Sequence, residues 1–89
     1  MITFTIAVMI YNVGKFLPMC IESIMVQEGQ DIEILLIDDG STDESGLICD
    51  RYSKMDSRIR VIHQKNRGVA ASRNVAIENA QGKWLIQVD

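Results

Sequence analysis

Two adjacent carboxylates, Asp38 and Asp39, end the apolar run of residues 32–37 and are followed by Gly40-Ser41-Thr42-Asp43-Glu44. An apolar, β-branched run that stops at acidic residues and a glycine turn describes a buried strand. Such a strand delivers its carboxylates to the C-terminal edge of a sheet, where open α/β proteins bind ligands. No cap or core position requires the pair. Ser41 with Glu44 fits a capping box, and Asp43 and Glu44 suit the positive end of the helix that follows. A carboxylate in that place accepts hydrogen bonds from ribose hydroxyls or a base N–H, each worth about 1.5–3 kcal/mol. Tyr11 offers a ring face for base stacking, or else is a half-buried aromatic at a strand end. Arg73 lies in the first turns of a helix opening at Gly68. It is able to meet a diphosphate oxygen bidentately, or to serve as a solvated helix arginine paired with Glu78 or Asp39. Asp89, at the tip of the last strand, stands where a divalent cation bridging phosphates takes oxygen ligands, although one aspartate alone makes a weak metal site.

Other phosphate and nucleophile signatures are absent. No GxGxxG follows the first strand, no GxxxxGK precedes a Ser or Thr, and no GxSxG elbow occurs. The single histidine, His63, has no evident triad partner and is expected at a loop edge.

The elements that must position these groups follow from apolar periodicity. Residues 3–10 form a continuous apolar strand of the kind buried on both faces of a parallel sheet. Residues 11–14 interrupt it. Leu17, Cys20, Ile21 and Ile24 then recur at helical spacing, predicting a helix over 15–26 with Pro18 in its first turn. Residues 32–37 form the second strand. A second helix is expected over 43–55 with Leu47, Ile48, Tyr52 and Met55 inward, then a third strand over 59–62 and a polar loop over 63–67. Gly68 opens a third helix reaching Ala80, whose Ala70, Ala71, Ala76 and Ala80 permit close packing on the sheet. Residues 84–88 make the fourth strand. Every crossover carries a helix, so the expected architecture is an α/β, Rossmann-like parallel sheet of about four strands with three flanking helices. In the common doubly wound order the first strand is central and the fourth lies on its other side. The tips of strands one, two and four and the start of the third helix then converge. Tyr11, Asn12, Asp38, Asp39, Arg73 and Asp89 become candidates for one shared site.

Size and composition narrow the classes further. The chain has 89 residues, 47% apolar and 24% charged, which is one ordered globular unit at most. A net charge of −3 gives no basic footprint for nucleic acid. No apolar run is long enough to span a membrane, and the first residues lack the pattern of a signal peptide. Cys20 and Cys49 read as reduced core thiols, without the spacing of a zinc site. A cytoplasmic protein is expected, with membrane association of the intact protein left open.

The same residues carry a family resemblance. Tyr11-Asn12, the stretch Asp38-Asp39-Gly40-Ser41-Thr42-Asp43, the stretch Asn66-Arg67-Gly68-Val69-Ala70-Ala71-Ser72-Arg73-Asn74 and the closing Gly82-Lys83-Trp84-Leu85-Ile86-Gln87-Val88-Asp89 resemble the family 2 glycosyltransferases of the GT-A fold. The resemblance runs through the whole chain in order and with its spacing intact. It implies that residues 1–89 are the N-terminal, nucleotide-sugar-binding segment of an inverting transferase that moves a sugar from a nucleoside-diphosphate donor to an acceptor hydroxyl. UDP-sugars are the commonest donors in the family, and saccharides or other hydroxyl compounds are the acceptors. Carried over, Tyr11 lies against the base, Asp39 holds the base N–H, Asp38 supports that loop and Arg73 lies near the nucleotide. Asp89 matches the first aspartate of the DxD-type motif. The Mn²⁺ or Mg²⁺ ligand then falls just beyond residue 89. The family usually has a proline shortly before the Tyr-Asn pair, where Met9 stands here.

The resemblance also implies a segment truncated from a longer enzyme, with no catalytic residue of its own and no transfer activity alone. An uncovered edge at the fourth strand predicts exposed apolar surface and self-association. Two other readings compete: a non-catalytic α/β binding or receiver-like module, and an interaction domain whose Asp-Asp pair merely caps a turn. A receiver-like domain needs acidic residues after its first strand, where this chain has Tyr11-Asn12.

Overall fold

A computed structural model describes residues 1–29 and 31–88. The chain alternates β1 (Phe4–Ile10), α1 (Leu17–Met25), β2 (Ile32–Asp39), α2 (Ser45–Met55), β3 (Ile59–Gln64), α3 (Val69–Asn79) and β4 (Trp84–Val88). The four strands are parallel in the order β3-β2-β1-β4, with β1 central and β4 beyond it, as expected.

Period-two alternation divides the core. Val8 and Ile10 of β1, Ile34 and Leu36 of β2 and Ile59 of β3 pack under Leu17 and Ile21 of α1 and Ile48, Cys49 and Tyr52 of α2. Ala7, Met9, Leu35 and Ile37 face the other way, against Ala76 of α3. β1 and β2 are therefore apolar on both sides, as a central parallel strand must be. Burial of each large aliphatic side chain contributes about 1.5–3 kcal/mol, so these two strands hold the tips that carry the site.

Several local expectations are corrected. The inner face of α2 is Ser45, Ile48, Cys49 and Tyr52, a clean i, i+3, i+4, i+7 stripe, whereas Leu47 and Met55 are exposed. Leu47 sits about 100° round the helix from Ile48, and Met55 is the last helical residue. On α3 the buried positions are Ser72 and Ala76, while Ala70 is exposed and Ala71 and Ala80 are half-buried. The capping box does not form: α2 starts at Ser45 after Glu44, with no side-chain cap from Glu44. Asp43 accepts the Ser45 N–H at 2.9 Å, and Ser41 is drawn into a longer-range bond. β3 runs through Gln64, so His63 belongs to the strand rather than to a loop.

The N-terminal edge of the sheet holds a buried polar knot, opposite the two aspartates. Glu33, almost fully buried, accepts the Thr5 hydroxyl at 2.8 Å and the Gln81 N–H at 3.0 Å, and pairs with Arg60 at 2.8 Å. It ties three strands to the α3–β4 turn.

Candidate functional site

The site begins where β1 ends. Tyr11 is about half exposed (49%) at the strand tip. Asn12 follows in the left-handed region at φ 49°, which asparagine tolerates better than other non-glycine residues. Its side-chain oxygen accepts the Thr42 N–H at 2.7 Å, and its own N–H donates to the Ser41 hydroxyl at 3.0 Å. The next two backbone N–H groups are also held, Val13 by Ser45 Oγ at 3.1 Å and Gly14 by Asp43 Oδ2 at 3.0 Å. The Ser41–Ser45 segment thus serves as a cradle for the β1–α1 loop. With three successive N–H groups held, the turn after β1 is fixed without a proline.

Asp38 and Asp39 lie side by side on β2 and, with alternation, point to opposite faces. Both are only 5% exposed. Asp38 Oδ1 accepts the Ser41 N–H at 3.0 Å, and its Oδ2 meets His63 Nδ1 at 2.8 Å. Asp39 Oδ1 accepts from Gln64 Nε2 at 3.0 Å and from the Arg67 N–H at 2.8 Å, and its Oδ2 accepts the Gly68 N–H at 2.9 Å. Burial by itself pushes the Asp39 carboxyl up. The Gln64 amide, the two backbone N–H groups and the Arg67 charge outweigh it and hold the group below the ordinary carboxylate value. Gly40 permits this tight closure: it sits at φ +70°, and a Cβ there would lie 2.5 Å from the Asn66 nitrogen.

Tyr11 and Asp39 meet in one cleft of about 190 Å³ at the C-terminal edge of the sheet. Met9, Ile10 and Val13 line the β1 side, and Val69 and Ser72 of α3 close it. A carboxylate has about four acceptor positions. Among the described residues three are filled, which leaves one on Oδ2 for a donor entering the cleft. The volume is below the roughly 300–1,000 Å³ of a drug-sized site, so the cleft takes one ring system rather than a whole sugar nucleotide.

The other candidates stand around this cleft unequally. Asn12 spends its side chain on the loop staple, and Asp38 faces away toward His63. Arg73 is exposed in the second turn of α3, four residues after the cleft residue Val69. Asp89 lies outside the described residues. Among the described residues no group of three or more His, Cys, Asp or Glu side chains is placed to hold a metal ion. Gln64 and Ser72 were not foreseen. Gln64 bridges Asp39 and Ser72 Oγ, the latter at 3.2 Å. The inward i, i+4 pair Ser72 and Ala76 was the available signal for Ser72; nothing local marked Gln64.

Residues 5–89 match the model of the family described as Glycosyl transferase family 2. The chain is 50% identical over 86 residues to glycosyltransferase GlyG of Streptococcus pneumoniae serotype 4, covering 96% of this chain and 29% of that protein. It is 47% identical over 85 residues to the uncharacterized glycosyltransferase EpsJ of Bacillus subtilis, covering 96% of this chain and 25% of EpsJ. Against the crystal structure of S. aureus TarS 1-349 in complex with UDP-GlcNAc, the TM-score is 0.89 at 27% identity, covering 99% of this chain and 26% of that one. The fold is thus that of the N-terminal region of a GT-A transferase. The chain spans less than a third of the length of these relatives. With the family model matched over nearly every residue, the chain belongs to glycosyl transferase family 2.

Proposed function

We propose that the cleft between Tyr11 and Asp39 binds the base of a nucleoside-diphosphate sugar, and that the longer protein transfers that sugar to an acceptor hydroxyl, with inversion. The observation that carries this reading is the convergence of an exposed aromatic ring and a buried, ionised carboxylate with one open acceptor position. Stacking on the ring and an N–H donated to Asp39 Oδ2 would together recognise a base such as uracil. UDP is the first candidate, because TarS structures contain UDP-GlcNAc and UDP. Asn12 and Asp38 act by holding the two loops in register, and Arg73 is offered to the diphosphate. Mn²⁺ or Mg²⁺ would neutralise the leaving diphosphate in the longer protein. The support for that ion is the family pattern at Asp89 and not the described residues. The acceptor, a saccharide or other hydroxyl compound, and the base that deprotonates it belong to the longer protein, so this chain alone is expected to transfer nothing. No described helix is long and apolar enough to cross a membrane. Two unpaired thiols, Cys20 and Cys49, support a reducing, cytoplasmic setting.

An amide-resolved NMR titration with UDP, GDP and ADP tests the reading. UDP is expected to shift Tyr11, Asp39, Val69 and Ser72 saturably, with the shifts lost in Tyr11→Ala. A folded, well-dispersed chain that none of the three perturbs would overturn it.

A further inference from the structure

His63 is the titratable group that the cleft does not use, yet it is built into the site's foundation. Its two ring nitrogens each lie 2.8 Å from a carboxylate oxygen, Nδ1 from Asp38 Oδ2 and Nε2 from Asp50 Oδ1. Ionised carboxylates only accept hydrogen bonds, and a neutral imidazole has one N–H. Both contacts are therefore satisfied only by the imidazolium. α2 approaches closely enough for this because it carries Gly46: a Cβ there would stand 2.9 Å from Asp38 Oδ2 and 3.4 Å from His63 Cε1.

We propose that His63 is a positioning residue, an imidazolium that clamps the tip of β2 to α2 and so fixes both walls of the nucleotide cleft. The connections run outward in two directions. Asp38, held through Oδ2, holds the Ser41 N–H through Oδ1. Ser41 in turn accepts the Asn12 N–H, and Asn12 directly follows Tyr11. On the other side Asp38 adjoins Asp39, whose carboxylate holds the 67–68 turn.

The clamp makes the cleft pH-dependent. The titratable groups facing His63 are Asp38 from β2 and Asp50 from α2, with the Cys49 thiol of α2 in the field of both carboxylates. Arg60, the other charged residue of β3, pairs with Glu33. The bonds to Asp50 and Asp38 outweigh desolvation and raise the imidazole above its ordinary value. A raised folded-state value means the clamp is complete below about pH 6.5 and is lost as pH rises through the folded value.

The effect on binding rests on the nucleotide reading above, and the test separates the two. The His63 imidazole and the amides of Asn12, Ser41, Arg67 and Gly68 are followed by NMR from pH 5 to 9, with and without UDP. The amides are expected to move with the His63 midpoint, and Asp50→Asn to lower both midpoints together. UDP affinity should fall at least about fivefold across the midpoint and lose this step in His63→Gln. The difference between the two proteins cancels the titration of UDP's own phosphate. Amides that ignore the His63 midpoint, or UDP bound equally tightly on both sides of it, overturn the proposal. If no nucleotide binds at any pH, the nucleotide reading falls and the amide shifts alone decide the positioning role. If His63→Gln fails to fold, the paired midpoints of Asp50→Asn decide it.

Discussion

The Asp39 carboxylate accepts the Gly68 N–H at 2.9 Å, joining the end of β2 to the residue before α3. The side chain best placed to meet a ligand is therefore also an anchor for the element that closes the cleft. Loss of function at Asp39 does not by itself identify a contact, and variants there need a stability measurement beside the binding one.

For Asp39→Asn we expect a loss of about 2–3 kcal/mol in urea unfolding, because an amide turns one donor toward an N–H it cannot satisfy. The pH dependence has a definite sign. The folded-state carboxyl is held below its ordinary value. Its stabilisation is thus complete above the unfolded value of about 3.9 and fades as pH falls through the folded value. Unfolding curves from pH 2 to 6 for the wild type and the variant should converge at the acid end. Parallel curves would remove Asp39 from the acid response.

Asn12 separates backbone strain from side-chain bonding. Asn12→Gly keeps φ 49° accessible but deletes the acceptor for Thr42, whereas Asn12→Ala also loses the tolerance of the left-handed region that asparagine has and alanine lacks. The expected losses are about 1 kcal/mol for glycine and about 2–3 for alanine. Equal losses would mean that the strain at this position is negligible. Both variants should weaken UDP binding, since the loop they loosen carries Tyr11.

Glu33 supplies a control at the other edge of the sheet. Removing it leaves the Thr5 hydroxyl and Gln81 N–H without their acceptor and Arg60 without its partner. The Arg60 side chain is 40% exposed, so the loss comes mainly from the two buried donors left unsatisfied, about 1–3 kcal/mol each, and Glu33→Ala should be among the more destabilising changes in the chain. At a temperature where the variant remains folded, its UDP affinity should match that of the wild type. A specific affinity loss would show that the two ends of the sheet are coupled.

How much of this was legible in the residues depends on range. The order of elements, the central β1 and the placing of Tyr11 and Asp39 at one edge follow from apolar runs and crossover handedness. These signals are local, or are imposed by chirality. The misread side-chain partners lie far apart in sequence. Ser41 looked like a cap for Glu44 but bonds Asn12, 29 residues away. Asp39 looked unclaimed by the core but holds Arg67 and Gly68, 28 and 29 residues on. His63 lacked a visible partner because its carboxylates come from β2 and α2, across a parallel register that no periodicity displays. On α2, Leu47 attracted attention by type alone, and the small Ser45 that opens the true inward stripe did not.

The last prediction concerns β4. Trp84 and Ile86 are 58% and 48% exposed, and they share a face with their register partners Phe4 and Ile6. Together with Ile24 and Ile32, three of these four (all but Trp84) line an apolar groove of about 400 Å³ that no described helix fills. β4 is also an edge strand, and Trp84–Val88 contains no charge and no proline to discourage pairing. An open hydrogen-bonding edge beside exposed apolar side chains should drive this chain to associate with itself. Sedimentation velocity is expected to show concentration-dependent oligomers, and Ile86→Lys to shift them toward monomer while leaving the circular dichroism spectrum unchanged. A lysine there puts a charge on the groove without touching the buried face that packs under α3. A wild-type chain that sediments as a monomer at every concentration would mean that the groove and edge are too polar or too strongly twisted to pair.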